Sequence, residues 1–193
     1  RGLDAVLRVL REARQVRVRY PEDVSTTFNA ELQLNGTSES STLSGAVTLN
    51  RAAISAGADM GRVLAAGSQP SVSVDTPNDY LRGIRLDMHV ESSPSFEFET
   101  SLTRNVQAEV DLRLRGTPER PVLSGDISVN SGEVQIFGNR YTVNRGDIQF
   151  VNPVRIEPTF DVNLETKARG IIVNVGLSGT PQRLNVSYSS DPP

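Results

Sequence analysis

Few residues in this chain are of types that do covalent chemistry, and their spacing limits what they can do. The single histidine, His89, falls between Asp87 and Glu91 in an alternating run. At that spacing the three side chains share the polar face of a strand, where a histidine is ordinarily solvated. A catalytic or metal-binding role needs partners that the sequence does not place. With one His and no Cys, a zinc site lacks donors. The Asp and Glu residues alternate with apolar ones and do not form the D-x-D-x-D spacing of a calcium loop. No G-x-G-x-x-G motif enters a helix. The expectation is a non-enzymatic protein with no cofactor and no metal.

What remains is the apolar half of each alternation. Ile127, Val129, Val134 and Ile136 recur at every second position on either side of Asn130-Ser131-Gly132. Ile148 and Phe150 follow, then Phe160, Val162 and Leu164, then Val173, Val175 and Leu177. Such a face has two uses. It can pack on itself as a core, or it can hold acyl chains in a groove. Burying each CH₂ is worth about 0.8 kcal/mol, so a lipid chain of ordinary length gains on the order of 10 kcal/mol on leaving water. A continuous aliphatic stripe supplies that refuge at every point, so a lipid could slide along it without a large barrier.

The elements that position these residues are strands. Val110, Leu112 and Leu114 point one way, and Asp111, Arg113 and Arg115 the other. Gly116-Thr117-Pro118 turns the chain, a strand follows over Leu123 to Val129, Asn130-Ser131-Gly132 turns it again, and Glu133 to Phe137 forms a third. The unit occurs twice. Residues 29–55 align without a gap on 109–135, with Leu32, Leu34, Gly36, Thr37, Leu43, Ser44, Gly45 and Asn50 on Leu112, Leu114, Gly116, Thr117, Leu123, Ser124, Gly125 and Asn130. Leu-Ser-Gly is not something a turn requires, so the match points to duplicated architecture.

In chain order, Leu3, Val6, Leu7 and Leu10 at i, i+3, i+4 and i+7 predict a short helix over 2–14. The period switches to two at Val16, Val18 and Tyr20. Residues 56–82 read as an insertion with a helix from Asp59 to Gly67 and a brief strand from Ser71 to Val74. From Ile84 onward strands hardly stop: Ile84 to Val90, then Phe96 and Phe98, through to Leu184, Val186 and Tyr188. Roughly a dozen strands with little helix make an all-β protein. The organisation is a single domain: 1–15 helix, 16–55 first copy, 56–82 insertion, 83–193 second copy and C-terminal strands.

Composition narrows the class. The 193 residues suffice for a real core, and 20 basic against 23 acidic residues leave no basic excess for nucleic acid. Hydrophobic content of 37% suits a sheet with one wet face. The absence of cysteine fits both the cytosol and the bacterial periplasm. A start at Arg1 and an end at Asp191-Pro192-Pro193 suggest a piece of a longer chain. Alternation on every strand allows a closed sandwich, a transmembrane barrel or a long sheet curled into a trough. A barrel needs an aromatic girdle, and the chain has no Trp and four Tyr. Sandwich and trough are equivalent by pattern. The repeat favours the trough, because a one-directional stack of strands can be extended.

Residues 116–193 carry a set of motifs in order: P-x-L-S-G at Pro121 to Gly125, G-x-x-x-x-x-G at Gly132 to Gly138, and Y-x-V-x-x-G-x-I-x-F at Tyr141 to Phe150. I-x-P at Ile156 to Pro158, L-S-G-T at Leu177 to Thr180 and S-D-P-P at Ser190 to Pro193 complete it. This stretch resembles the C-terminal domain of the TamB family, the inner-membrane subunit of the bacterial translocation and assembly module. The resemblance implies a β-taco, an open U-shaped trough with an apolar interior. It also implies residence in the periplasm, with membrane association through an anchor outside this chain. It implies two functions: phospholipid movement between inner and outer membranes, and barrel assembly with an outer-membrane partner of the BamA/TamA type. Two expectations follow. The groove residues above, from Ile127 to Leu177, face phospholipid. Alternatively, the terminal strand with Leu184, Val186 and Tyr188 adds to a strand of the barrel partner or to a second copy of the segment. A plain structural β-module with a filled core is the third.

Overall fold

A computed structural model describes residues 7–19, 24–37, 39–54, 83–136, 138–153, 156–168 and 170–191. They form one sheet of ten strands in chain order: β1 Leu7–Arg19, β2 Val24–Gly36, β3 Ser41–Ile54, β4 Ile84–Thr100 and β5 Thr103–Thr117, followed by β6 Arg120–Ile136, β7 Asn139–Phe150, β8 Pro158–Ala168, β9 Ile171–Thr180 and β10 Arg183–Asp191. Every neighbouring pair is antiparallel except β3 and β4, which run parallel. The sheet does not close into a barrel and is an open, curled trough.

The two matched hairpins have the same register. Leu32 faces Gly45 and Leu34 faces Leu43 in β2–β3; Leu112 faces Gly125 and Leu114 faces Leu123 in β5–β6. Their turns share chemistry as well. The Ser40 amide donates to Thr37 Oγ1 and the Arg120 amide to Thr117 Oγ1, both at 3.2 Å. Gly45 and Gly125 have φ of 138° and 116°, and a Cβ there would overlap the carbonyl oxygens of Glu31 and Asp111. Only glycine lets the paired backbones approach this closely.

Three expectations are corrected. Leu7–Arg14 is not helical but the first part of β1, and residues 2–6 lie outside the described residues. Leu7 and Leu10, whose spacing suggested one helical face, hold register positions of opposite parity in β1, Leu7↔Gly36 and Leu10↔Gln33, so the spacing marks no common face. Pairing runs from Leu7↔Gly36 to Ala13↔Ala30, slips, and resumes at Val16↔Phe28, with Gln15 at φ 53°. The slip exchanges odd for even positions, but beyond the residues that suggested the helix. Pairing along the whole of β2 then outweighs the weak local helix preference. Asn130-Ser131-Gly132 is likewise not a turn but a break inside the single strand β6. Ile84–Val90 and Phe96–Phe98 belong to one strand, β4, interrupted around Pro94. The strands therefore number ten among the described residues. The predicted helix Asp59–Gly67 and strand Ser71–Val74 lie outside them.

These breaks share a line. Every ladder from β1–β2 through β7–β8 is interrupted, and consecutive interruptions lie side by side. They fall at Ala13/Val16, Thr27/Phe28, Leu49/Arg51, Glu91/Phe98, Arg104/Ala108, Val129/Gly132 and Val143/Arg145. A bulge bends its strand and increases the local twist. Six of these seven interruptions shift the register and the β6–β7 one is an unpaired gap without a shift; side by side they form a crease along which a single layer can curl without a second layer to pack on. The ladders β8–β9 and β9–β10 run unbroken, so the crease stops before the C-terminal edge.

Candidate functional site

The register sorts the side chains. Ile127 pairs with Ile148, which pairs with Phe160, then Gly179 and Leu184. Val129 leads through Gly146, Val162 and Leu177 to Val186. Val143, Leu164, Val175 and Tyr188 form the next row. Val134 faces Tyr141, Phe150 faces Pro158, Thr166 leads through Val173 to Ser190, and Ile136 pairs with Asn139. All twelve residues of the expected groove, with Leu184, Val186 and Tyr188, thus occupy one face of one sheet. Among the described residues no second sheet covers it.

Burial shows that this face is the concave one. Val143, Leu164 and Val175 are the buried centre, with Val129, Val134, Tyr141, Val162, Val173 and Leu177 packed around them. Leu164 is 3% exposed, which a single flat layer cannot achieve. The floor opens toward β10, where Leu184 and Val186 are about half exposed and Tyr188 is 74% exposed.

Sequence reasoning missed part of this face. Val106, Val110 and Leu112 on β5 and Ala30 on β2 are as buried as the C-terminal floor. The alternation around Leu112 had already marked two of them. Val143 was hidden for a physical reason: β7 carries its inward residues at odd numbers through Val143 and at even numbers from Gly146.

The opposite face is wet and charged. His89 Nε2 lies 2.8 Å from Asp111 Oδ1, across the strands and not toward Asp87 or Glu91. Asp87 meets Arg113 at 3.3 Å and Arg115 at 3.5 Å, and Arg145 meets Asp147 at 2.6 Å. Arg51 pairs with Glu99, whose hydrogen bond and then charge raise its pKa further above the physiological range. These exposed pairs each contribute little to stability. No group of three or more His, Asp or Glu among the described residues is arranged to hold a metal ion.

A cleft lies at the β4–β5 break. Between Glu91↔Asp111 and Phe98↔Val106 the β4–β5 ladder is open, leaving a cleft of about 1080 Å³ bounded by Ser92–Phe98 and Asn105–Asp111. Pro94 has no amide hydrogen to donate there. The Val110 amide is satisfied by Ser92 Oγ at 3.0 Å.

An uncharacterized protein of Aquifex aeolicus (strain VF5) is 30% identical to this chain over 82 residues, 42% of the chain and 7% of that protein. The chain thus spans a small part of the length of the curated relative it matches. The family model described as the TamB C-terminal domain matches residues 7–193. With the open trough and its one-sided apolar face, that match over nearly the whole length means that the chain belongs to the TamB family, that of the translocation and assembly module.

Proposed function

We propose that this segment is a non-enzymatic lipid conduit. Its apolar groove binds phospholipid acyl chains and conducts them through the periplasm between inner and outer membranes. The observation that carries the reading is the shared face. Fifteen positions chosen by alternation fall on one concave side of one layer, and no second sheet covers it among the described residues. An exposed apolar face of this extent needs an occupant. Strands about 4.8 Å apart give ten strands a stripe roughly 45 Å long. No helix among the described residues is long and apolar enough to cross a membrane, and the membrane anchor belongs in this reading to other parts of the full-length protein. The test is native mass spectrometry with lipid extraction on protein purified from cells without detergent. Co-purified phospholipid, lost on Val162→Glu, is the expected result. A lipid-free mass from a folded monomer would count against the conduit.

A second reading is favoured by β10. Its ladder to β9 has no bulge, and Leu184–Ser190 carries no Pro, Lys or Arg, the devices that usually blunt a sheet edge. Such an edge suits strand addition by a BamA/TamA-type outer-membrane barrel during assembly, or by a second copy of the segment. Val186→Pro should abolish partner binding, and Val186→Lys should weaken it without touching the sheet interior. Unchanged binding by both would exclude strand addition.

A further inference from the structure

The conduit reading leaves open what happens to a lipid's charged end, and one residue addresses it. The groove-facing register positions of β1 include Arg11, Ala13, Val16 and Val18, opposite Leu32, Ala30, Phe28 and Thr26. Following these rows across β3 to β10 meets Gly, Pro, Ser, Thr, Asn, Tyr and apolar residues. Among the described residues Arg11 is the one charge on the apolar face.

The bulge is what puts it there. Without the slip between Ala13 and Val16, the residues in step with Val16 and Val18 would be Glu12 and Arg14. The Gln15 amide donates to Asn29 Oδ1 at 2.8 Å and fixes the slip. Glu12 and Arg14 are thereby kept on the other face, where they pair with each other at 2.6 Å. Arg11 is exposed and makes no ion pair or hydrogen bond among the described residues. It stands at the head of the row Leu32, Gly45, Met88, Leu114 and Leu123.

A guanidinium has two parallel N–H donors that match two oxygens of a phosphate. Beside an apolar row it selects a ligand with an anionic head and an aliphatic body. We propose that Arg11 is a phosphate anchor of the groove, binding the phosphodiester of a phospholipid whose chains lie along the Leu32–Leu114 row. The inference rests on the conduit reading. The bland role for an inward charge on an edge strand is to deter edge-to-edge association.

The test is titration calorimetry with dioctanoyl phosphatidylglycerol and with dioctanoylglycerol, which has the same chains and no phosphate. Both are used below micelle formation, on the wild type, Arg11→Leu and Arg11→Lys. Circular dichroism checks that each variant keeps its sheet. Arg11→Leu should lose about tenfold in affinity for the phospholipid, with dioctanoylglycerol unchanged, and Arg11→Lys should recover part of the loss. Equal loss for both lipids, or loss for neither, would overturn the anchor. An Arg11→Leu variant that dimerises with unaltered lipid affinity would assign Arg11 to edge protection instead. Displacement of the phospholipid by an equal concentration of inorganic phosphate would mark a free-anion site and overturn the lipid assignment. If the wild type bound neither lipid, the conduit reading itself would fail.

Discussion

Val162→Glu places a carboxylate at the middle of the C-terminal floor, between Gly146 on β7 and Leu177 on β9 and beside the buried Val143–Leu164–Val175 cluster. A lipid chain following the groove crosses a strand about every 4.8 Å, so a lipid within some four strands of this position lies partly over it. If the hydrated carboxylate holds three or four CH₂ groups off the floor, about 3 kcal/mol of transfer free energy is lost. At about 1.4 kcal/mol per decade, that is a loss of more than a hundredfold in occupancy at neutral pH. The effect carries a pH signature. A lipid covering the carboxylate desolvates it and raises its pKa above the ordinary value of about 4.3. The lipid-bound state then takes up a proton more readily than the free state. Binding is penalised above the raised pKa and recovers as pH falls through it. Val162→Gln has no such group and should show a weaker, pH-independent loss. The assay is lipid retained after incubation with vesicles, separated by flotation and quantified by phosphorus content across a pH series. Wild-type retention by Val162→Glu at neutral pH would refute the reasoning, because it would mean that chains do not lie on this floor.

Leu164→Ala should destabilise the protein by about 2–3 kcal/mol, the low end for a buried leucine because its neighbours are partly wet, and urea unfolding measures it. Gly125→Ala combines a positive φ with an overlap on the Asp111 carbonyl oxygen and should cost several kcal/mol, or abolish folding. Gly138→Ala has φ 79° with nothing within 4 Å of the added carbon and should cost only about 1–2 kcal/mol. Equal thermal shifts for the two glycine variants would show that close approach, as opposed to φ, is unimportant. Val186→Lys should leave stability within about 0.5 kcal/mol while lowering concentration-dependent self-association in analytical ultracentrifugation.

The legible part of this fold was whatever survives as period two. Ile148, Phe150, Phe160, Val162 and Leu164 were placed on one face because nothing interrupts the alternation in those short runs. The illegible part was the crease. A bulge and a turn draw on the same residues, so Asn130-Ser131-Gly132 carried a correct signal that alternation breaks and a wrong inference that the chain reverses. The distinction lies in the neighbours. β5 and β7 are long enough to pair on both sides of the break, and no local window contains that information. The helix over 2–14 failed for the same reason, since the pairing of Leu7–Ala13 with Ala30–Gly36 is information that the local spacing of Leu7 and Leu10 does not contain. The motifs of the C-terminal half did carry a trace of the crease: Gly132 opens one motif at the β6 break, and the change from one to two intervening residues between Val143 and Gly146 in another falls on the β7 break.

The crease also bears on why the face stays open. A sandwich buries its apolar side with a second layer, and the stabilisation is complete when folding ends. Here the curl alone covers Val143, Leu164 and Val175, and coverage fails within a strand or two where the bulges stop. Across one row exposure rises from 3% at Leu164 and 8% at Val175 to 74% at Tyr188. The edge strand β10 therefore holds apolar surface, at Leu184, Val186 and Tyr188, that folding has not finished burying. Any partner that finishes the burial, whether an acyl chain along the floor or a strand added beside β10, stabilises the folded state by its binding free energy. The two proposed functions draw on the same unburied surface at this end, so occupants should compete. Saturating lipid should lower the affinity of β10 for an added strand, and a Tyr188→Ser variant, with less surface to share, should show weaker competition. Independent binding of lipid and strand would separate the groove from the edge and leave each to be explained alone.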